Sequence, residues 1–483
     1  MKQLTAHERE LLKKVELWLE EHQEELERDI VEWVRIPSVR RDWEGIEGAP
    51  FGRPCAEVLE LALKRGAELG FRTENHQGYA GSILYGNHER DIGVVGHLDV
   101  VPEGDHWIYP PYEPTKKGDF LIGRGVSDNK GASVAGLYTV RILRDLQIPL
   151  EHNIRIIYGC AEETGMDDLA YFVKHEPVPE VSLVIDGAFP LNNGQKGGFN
   201  ARLFIPVGKQ LGSLRGGTAE NNVPDYAQVV LQAGNLDKVQ SALTGLPQDL
   251  AELVKAEPHP DGVIVYARGR AGHAAFPEGS LNAIWVLAEA LKLSGQFEED
   301  DRRTLEFLSS FLADYYGEGA GIASEDDLSG KLTLNGGIIR PYQDGLELFV
   351  DIRYPVTGDA ETVKQRLEQR ITPYGVHILD VRNSNPYYIA KDDPKVQTLL
   401  DAYNSIRNEQ AEPYVMGGGT HSRVLPGGIT FGPGFPSSVS VKPDFLPPGH
   451  GHAHGPDEAL HLPSLLEAIK IYVLALIWLD KTF

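Results

Sequence analysis

With 483 residues, 41% of them hydrophobic and 24% charged, the chain has an ordinary globular composition and the length of roughly two to four domains. A net charge of −24 argues against nucleic acid or an anionic membrane surface as a partner. Two cysteines, Cys55 and Cys160, exclude a disulfide framework and a thiolate zinc finger, and fit small buried residues of a reducing compartment.

The N-terminal segment through Val34 is patterned as a charged amphipathic helix without an apolar signal core, so the expected location is the cytoplasm. Ser82–Tyr85 and Ile92–Val95 then read as strands, Gly131–Leu146 as a helix, and Asn153–Cys160 and Leu183–Asp186 as further strands. This alternation indicates an α/β layer architecture, whose sites lie outside the carboxyl ends of the strands. From Gly262 the pattern changes to strand, helix (Leu281–Leu293), strand (Lys331–Arg340), strand (Leu346–Pro355), helix (Ala360–Ile371) and strand (His377–Asn383). That order predicts a ferredoxin-like βαββαβ unit beginning at Gly262, interrupted by an extra helix at Arg303–Tyr316. Strands of their own precede it from about Phe199.

From Pro386 the α/β pattern resumes, with a helix after 392-DDP-394 and a closing helix from near Ser464. The apolar run 471-IYVLALIWL-479 is about half of a ~20-residue membrane span, so it reads as a buried helix end and no membrane partner is expected. The fold class is therefore α/β: a discontinuous domain with a mixed sheet, formed by residues 1–198 and 386–483, interrupted by an inserted α+β domain over residues 199–385.

Five stretches end apolar runs with acidic or histidine side chains: 97-HLD-99, 127-SDNKG-131, 160-CAEETG-165, 185-IDGAFP-190 and 454-HGPDE-458. Singly, each has an ordinary explanation; Asp128, for example, could simply cap the following helix. Together they place two imidazoles and several carboxylates at strand ends, where paired carboxylates repel unless a proton is retained or a cation neutralises them. Nitrogen plus oxygen donors suit zinc, manganese or cobalt, and a shared carboxylate can bridge two ions about 3.5–4 Å apart.

The motifs GHLDVVPEGDHW, GRGVSDNKG, AEETG, IDGAFP and AHGPDE resemble, in order and spacing, those of a dinuclear metallopeptidase family. That family contains acetylornithine deacetylase, succinyl-diaminopimelate desuccinylase, glutamate carboxypeptidase and carnosinase-type dipeptidases. The resemblance implies two divalent ions, zinc first, with manganese or cobalt as alternatives. It implies that His97 and Asp186 bind one ion, that Glu163 and His454 bind the other, and that Asp128 bridges them, with a cis bond from Asp128 to Asn129. Glu162 would be the general base acting on a metal-bridging water, and Asp99 would orient the imidazole of His97. The stretch 448-PGHGHAHGPDE-458 also offers His450 and His452; metal chemistry alone leaves the choice open, and the family motif selects His454.

An aspartate at 186, in the context IDGAFP, resembles the bacterial dipeptidase V group, whereas deacylases and carboxypeptidases of the family usually carry glutamate there. The long insert resembles the same group, whose lid takes the place of a dimer partner, which implies a monomer. The resemblance also implies substrate-binding roles for three insert residues. His273 would act on the scissile carbonyl, Arg353 on a substrate carboxylate and Asn222 as a neutral donor. In the loop 417-GGGTHSR-423, the N–H groups of Gly418, Gly419 and Thr420 could form an anion nest. The expected activity is hydrolysis of small dipeptides with a free N-terminus, the alternative being a deacylase or carboxypeptidase acting on N-acyl amino acids.

Overall fold

The strand Asp91–His97 is apolar along its length because both of its faces are covered: every residue after Asp91 is buried. In the computed structural model, which describes residues 2–41, 45–232 and 234–482, this strand lies between Asn153–Gly159 and Val181–Val184, parallel to both. Gly428–Thr430 continues the parallel set beyond Val181–Val184. Antiparallel strands Ala80–Tyr85 and Arg72–His76 extend one side, and Asn192 pairs antiparallel with Thr430 on the other, so the sheet is mixed.

Helices cover both faces. Ala6–Val34, capped by a reciprocal Thr5–Glu8 box, packs with Lys130–Asp145 and Leu462–Leu479 on one face. Asp167–His175 covers the other, setting Leu169 and Phe172 against Val95, Ile157 and Val184. Leu462–Leu479 is long and apolar enough to cross a membrane, but 72% of it is buried inside this core. The parallel strands all present their carboxyl ends at one edge, and His97, the Ala161–Glu163 turn and Asp186 follow from those ends.

The chain divides into two compact units, one of Met1–Asn193, Ile389–Tyr414 and Gly419–Phe483, the other of Gly194–Tyr388 and Val415–Gly418. The second unit is built on a separate eight-stranded antiparallel sheet. Its order runs Val254–His259, Gly262–Arg268, Tyr226–Gln232, Arg215–Gly216, Thr333–Tyr342, Gly345–Tyr354, Gly197–Pro206, His377–Ser384.

This order corrects the predicted βαββαβ unit. Gly262–Arg268 is not its first strand; it pairs with Tyr226–Gln232 and Val254–His259 toward the far end of the sheet. The strand flanked by Gly345–Tyr354 and His377–Ser384 is Gly197–Pro206. The helix Glu299–Phe311, expected as an interruption, packs on that strand and serves as the unit's first helix. The reason is that Gly197–Pro206 alternates buried and half-buried residues along its length, a two-sided pattern whose antiparallel partners lie far away in sequence. Local order along the chain carries no record of that pairing.

Candidate metal centre

His97 ends its buried strand with no exposed surface, and Asp99 two residues later is almost as deep. The His97 Nδ1–H donates to the Asp99 carbonyl oxygen at 3.0 Å, with the Asp99 carboxylate at 3.3 Å, which aims Nε2 outward. Nε2 then lies 3.1 Å from Asp128 Oδ1 and 3.7 Å from Asp186 Oδ1. The other oxygen of Asp128 is 3.1 Å from His454 Nε2, which is also 3.0 Å from Glu163 Oε1. Donor atoms of His97, Glu162 and Asp186 converge within 4.8 Å of one another, as do those of His97, Asp128 and Glu163. The six residues expected at the metals and as base, His97, Asp128, Glu162, Glu163, Asp186 and His454, thus form one cluster at the carboxyl edge of the first unit's sheet. His450 stands apart from it, its Nδ1 2.5 Å from Asp457.

The electrostatics follow from gathering four carboxylates and two imidazoles into one cluster, the His97 ring wholly buried and the His454 ring about half exposed. Burial opposes charge on His97, yet Asp186 and Asp128 more than offset it and hold the imidazole well above its usual range. Hydrogen bonds to Asp128 and Glu163 push His454 up to about 11. Burial, followed by the charge of Asp186, raises Glu162 well above the ordinary carboxylate range. Glu163 rises to about 7 through burial and the charge of Asp128. Asp128 moves the other way: burial would raise it, but bonds from His454 and His97 hold it below the usual range. A divalent cation relieves the repulsion that lifts the two glutamates, and the mixture of imidazole nitrogen and carboxylate oxygen is a donor set that fits one.

The surrounding residues explain how the cluster is held. The peptide bond from Asp128 to Asn129 is cis. The Asn129 amide donates to the Ile185 carbonyl at 2.8 Å and to Asp186 Oδ1 at 3.0 Å, while its Oδ1 accepts from the His97 N–H. The Asp99 carboxylate accepts from the N–H groups of Glu162 and Glu163, both at 3.1 Å, so it holds the glutamate turn as well as facing His97. Glu458 is fully buried and accepts from the N–H groups of Gly125, Ser127 and Asp128 and from buried Arg124. Asp457 takes the N–H groups of Ile108 and Tyr109. Sequence alone marks Asn129 only for the cis bond that precedes it and gives the side chains of Arg124, Asn129, Asp457 and Glu458 no role; all four act on backbone far away in the chain.

The remaining candidates fall in different places. In the second unit, Asn222 and His273 are register partners in a short antiparallel pair. His273 Nδ1 accepts from the Ala275 N–H at 3.1 Å, which leaves the ring hydrogen on Nε2. Arg353 forks onto Asp351 through Nε and Nη2 at 3.2 and 3.0 Å. It also runs beside Gly417 and Gly418, where a Cβ would sit 3.5 Å from its Cδ and 3.9 Å from its Nη1 respectively. Gly418 belongs to that unit, whereas Gly419 and Thr420 belong to the first. The Thr420 side chain is buried and shares a hydrogen bond with the Thr430 hydroxyl. A Cβ on Gly419 would lie 2.7 Å from the Arg423 guanidinium carbon, so the Arg423 side chain runs directly beside that glycine.

Known proteins resemble this chain over most of its length. The model of peptidase family M20/M25/M40 matches residues 93–477. The Bacillus subtilis protein named "Putative dipeptidase YtjP" is 32% identical over 470 residues, covering 95% of this chain and 98% of its own. Among solved structures, human carnosine dipeptidase 1 superposes with a TM-score of 0.55 at 17% identity, over 98% of this chain and 99% of its own. The Saccharomyces cerevisiae di-peptidase Dug1p does so with a TM-score of 0.56 at 11% identity, over 97% and 98%. At those identities the structural likeness speaks for the fold.

Proposed function

The chain belongs to peptidase family M20/M25/M40, and from that premise we propose that it is a metal-dependent dipeptidase acting on small dipeptides with a free N-terminus. One observation carries the metal chemistry: Asp128 offers one carboxylate oxygen to the side of His97 and the other to the side of His454. A shared carboxylate flanked by two imidazoles is a donor arrangement for two cations about 3.5–4 Å apart. We assign His97 and Asp186 to one ion, Glu163 and His454 to the other, and Asp128 to both, with zinc first and manganese or cobalt also accepted. When bound, the ions supply positive charge that polarises the amide carbonyl and acidifies water.

Glu162 is the base in this reading: it takes the proton from the attacking water and returns it to the leaving nitrogen. Burial and the neighbouring charge of Asp186 raise its carboxyl group, which helps it hold the proton it accepts until the leaving nitrogen takes it. Asp99 fixes the direction of both partners, through its carbonyl on His97 and its carboxylate on the Glu162 and Glu163 N–H groups.

For substrate, the short side chain of Asp186 leaves space and an acceptor for a free amino group. The Bacillus subtilis relative carries dipeptidase in its name, which supports the same choice. His273, with a hydrogen on Nε2, is assigned to the scissile carbonyl, and Asn222 beside it is assigned as a donor. Arg353 and the N–H groups of Gly418, Gly419 and Thr420 are assigned to the terminal carboxylate. The enzyme would act as a monomer in the cytoplasm, where its two buried free thiols stay reduced.

The test is a panel of dipeptides and N-acetyl amino acids on metal-stripped protein reloaded with zinc, manganese or cobalt. Release of amino acids from dipeptides, without action on acylated ones, is expected; the reverse preference refutes the substrate assignment. Glu162→Ala should lose about 10²- to 10⁴-fold in kcat while keeping its metal, and an unchanged rate removes Glu162 from the mechanism.

A further inference from the structure

Asp168 and His421 form a fully buried pair that none of the roles above uses. Asp168 lies in the first turn of the helix that follows the Glu162–Thr164 turn, and His421 follows Thr420 in the glycine-rich loop. His421 Nε2 stands 3.2 and 3.1 Å from the two Asp168 oxygens, so this nitrogen carries the hydrogen and donates. The opposite ring nitrogen, Nδ1, is buried without a hydrogen-bond partner among the described residues. Leaving a polar atom bare in the interior costs about 1–3 kcal/mol, so the ring is committed to the one bond it makes.

The same carboxylate continues the connection. Asp168 Oδ2 accepts from the Ala161 N–H at 2.8 Å, the residue immediately before Glu162. One side chain therefore joins the backbone of the glutamate turn to the side chain of the glycine-rich loop. Burial would raise the Asp168 carboxyl, but His421 and the backbone N–H groups hold it below the usual range, which keeps it an acceptor. The His421 ring also meets the ring of His97 edge-on, with centroids 6.3 Å apart and planes at 87°. Gly159, the register partner of His97, supplies a further sign of close fit. A Cβ there would fall 2.2 Å from Asp168 Oδ2 and 2.7 Å from His421 Cε1. The strand lacks a side chain at the point where the pair passes beneath it.

We propose that His421 and Asp168 are a positioning dyad that ties the Gly419–Thr420 backbone to the Ala161–Glu162–Glu163 turn, so that carboxylate recognition and the base are held in one fixed relation. The physical link stands on the contacts alone; its meaning for catalysis rests on the function proposed above. A displacement of about 1 Å at a reacting group can lower the rate by about 10²-fold, so a loose link should be visible in kinetics.

The decisive comparison uses His421→Met, which fills the space without a donor, and His421→Gln, whose amide nitrogen can replace Nε2. Both are assayed as zinc-loaded protein on a dipeptide and on the same dipeptide as its C-terminal amide, with metal content and melting temperature measured alongside. His421→Met is expected to keep its metal, to lose about tenfold in kcat, and to lose about tenfold of the preference for dipeptide over amide. His421→Gln should restore both to within about threefold of the parent. A lowered melting temperature with kcat and preference unchanged would mean a purely structural pair and would overturn the proposal. Should His421→Met fail to fold, Asp168→Asn takes its place with the same expectations. Should the parent prefer N-acyl amino acids, the substrate reading fails and the dyad is judged by kcat on that substrate, where no change in the folded variant overturns it.

Discussion

Consider Glu458 replaced by glutamine, a change of one buried atom. Glu458 Oε1 accepts from the N–H groups of Ser127 and Asp128 at 2.8 and 2.9 Å, and Oε2 accepts from the Gly125 N–H at 3.0 Å and from Arg124 Nη1 at 2.8 Å. Whichever oxygen becomes an amide nitrogen, two donors then face a donor. Arg124, only 1% exposed, loses its counter-charge, and its other nitrogen is the one that reaches the carbonyls of Glu103 and His454 at 3.2 and 3.3 Å. One ion pair therefore steadies the loop beyond Asp99, the approach to Asp128 and the backbone of His454, a residue with φ of 64°.

Breaking a buried pair from one side costs about 3–5 kcal/mol, and some relaxation around the amide should leave about 3 kcal/mol. Losing the supports of two ligands should weaken metal binding by about 10- to 100-fold. Urea unfolding of the metal-free protein measures the first quantity, and competition with a chromophoric chelator measures the second. Stability within about 1 kcal/mol of the parent, together with unchanged zinc affinity, would refute the reasoning.

Two other outcomes can be checked. Because the Asp168 carboxyl is held below its usual range, its contribution to stability is complete above the unfolded value of about 3.9 and disappears as pH falls through the lower folded value. The stability gap between metal-free parent and Asp168→Asn should therefore be full at neutral pH and narrow in acid; urea titrations showing a constant gap would contradict this. Arg353→Lys keeps the charge but loses the planar fork, so KM for dipeptides should rise about tenfold with kcat little changed, and an unchanged KM would remove Arg353 from carboxylate recognition.

Half of the candidate cluster is legible from local pattern, whereas His454 is singled out from its neighbouring histidines only by the family motif. His97, Glu163 and Asp186 each follow an apolar strand, and a strand end is recognisable from the residues on either side of it. Their support was less legible. Glu458 stands in a quoted motif, but nothing near it indicates that it binds the backbone around Asp128, 330 positions away. Asp168 and His421 are 253 positions apart, and each has an unremarkable neighbourhood of its own. The misplaced first strand of the βαββαβ unit has the same origin. The partners of Gly197–Pro206 lie beyond a long stretch containing several strands of similar pattern, and only packing decides among them. Local pattern reports what a residue can do; it is silent on what holds it in position.

That distinction also explains why the two imidazoles of the cluster are built so differently. The His97 side chain is wholly buried, at the end of a central strand, and both its ring nitrogen and its backbone are bonded to neighbours. The side chain of His454 is 51% exposed, on a loop, in a left-handed backbone conformation that a non-glycine residue adopts only under constraint. For His97 the constraint is the sheet itself. For His454 it has to be imported, and Arg124 provides it through the carbonyl oxygen. Arg124 is itself buried, and a buried guanidinium requires a carboxylate, which is Glu458. The charge of Glu458 in turn is used on the N–H of Asp128, the residue that faces both imidazoles. The ion pair thus compensates for the weaker of the two scaffolds, linking the exposed histidine to the same carboxylate that the buried one addresses.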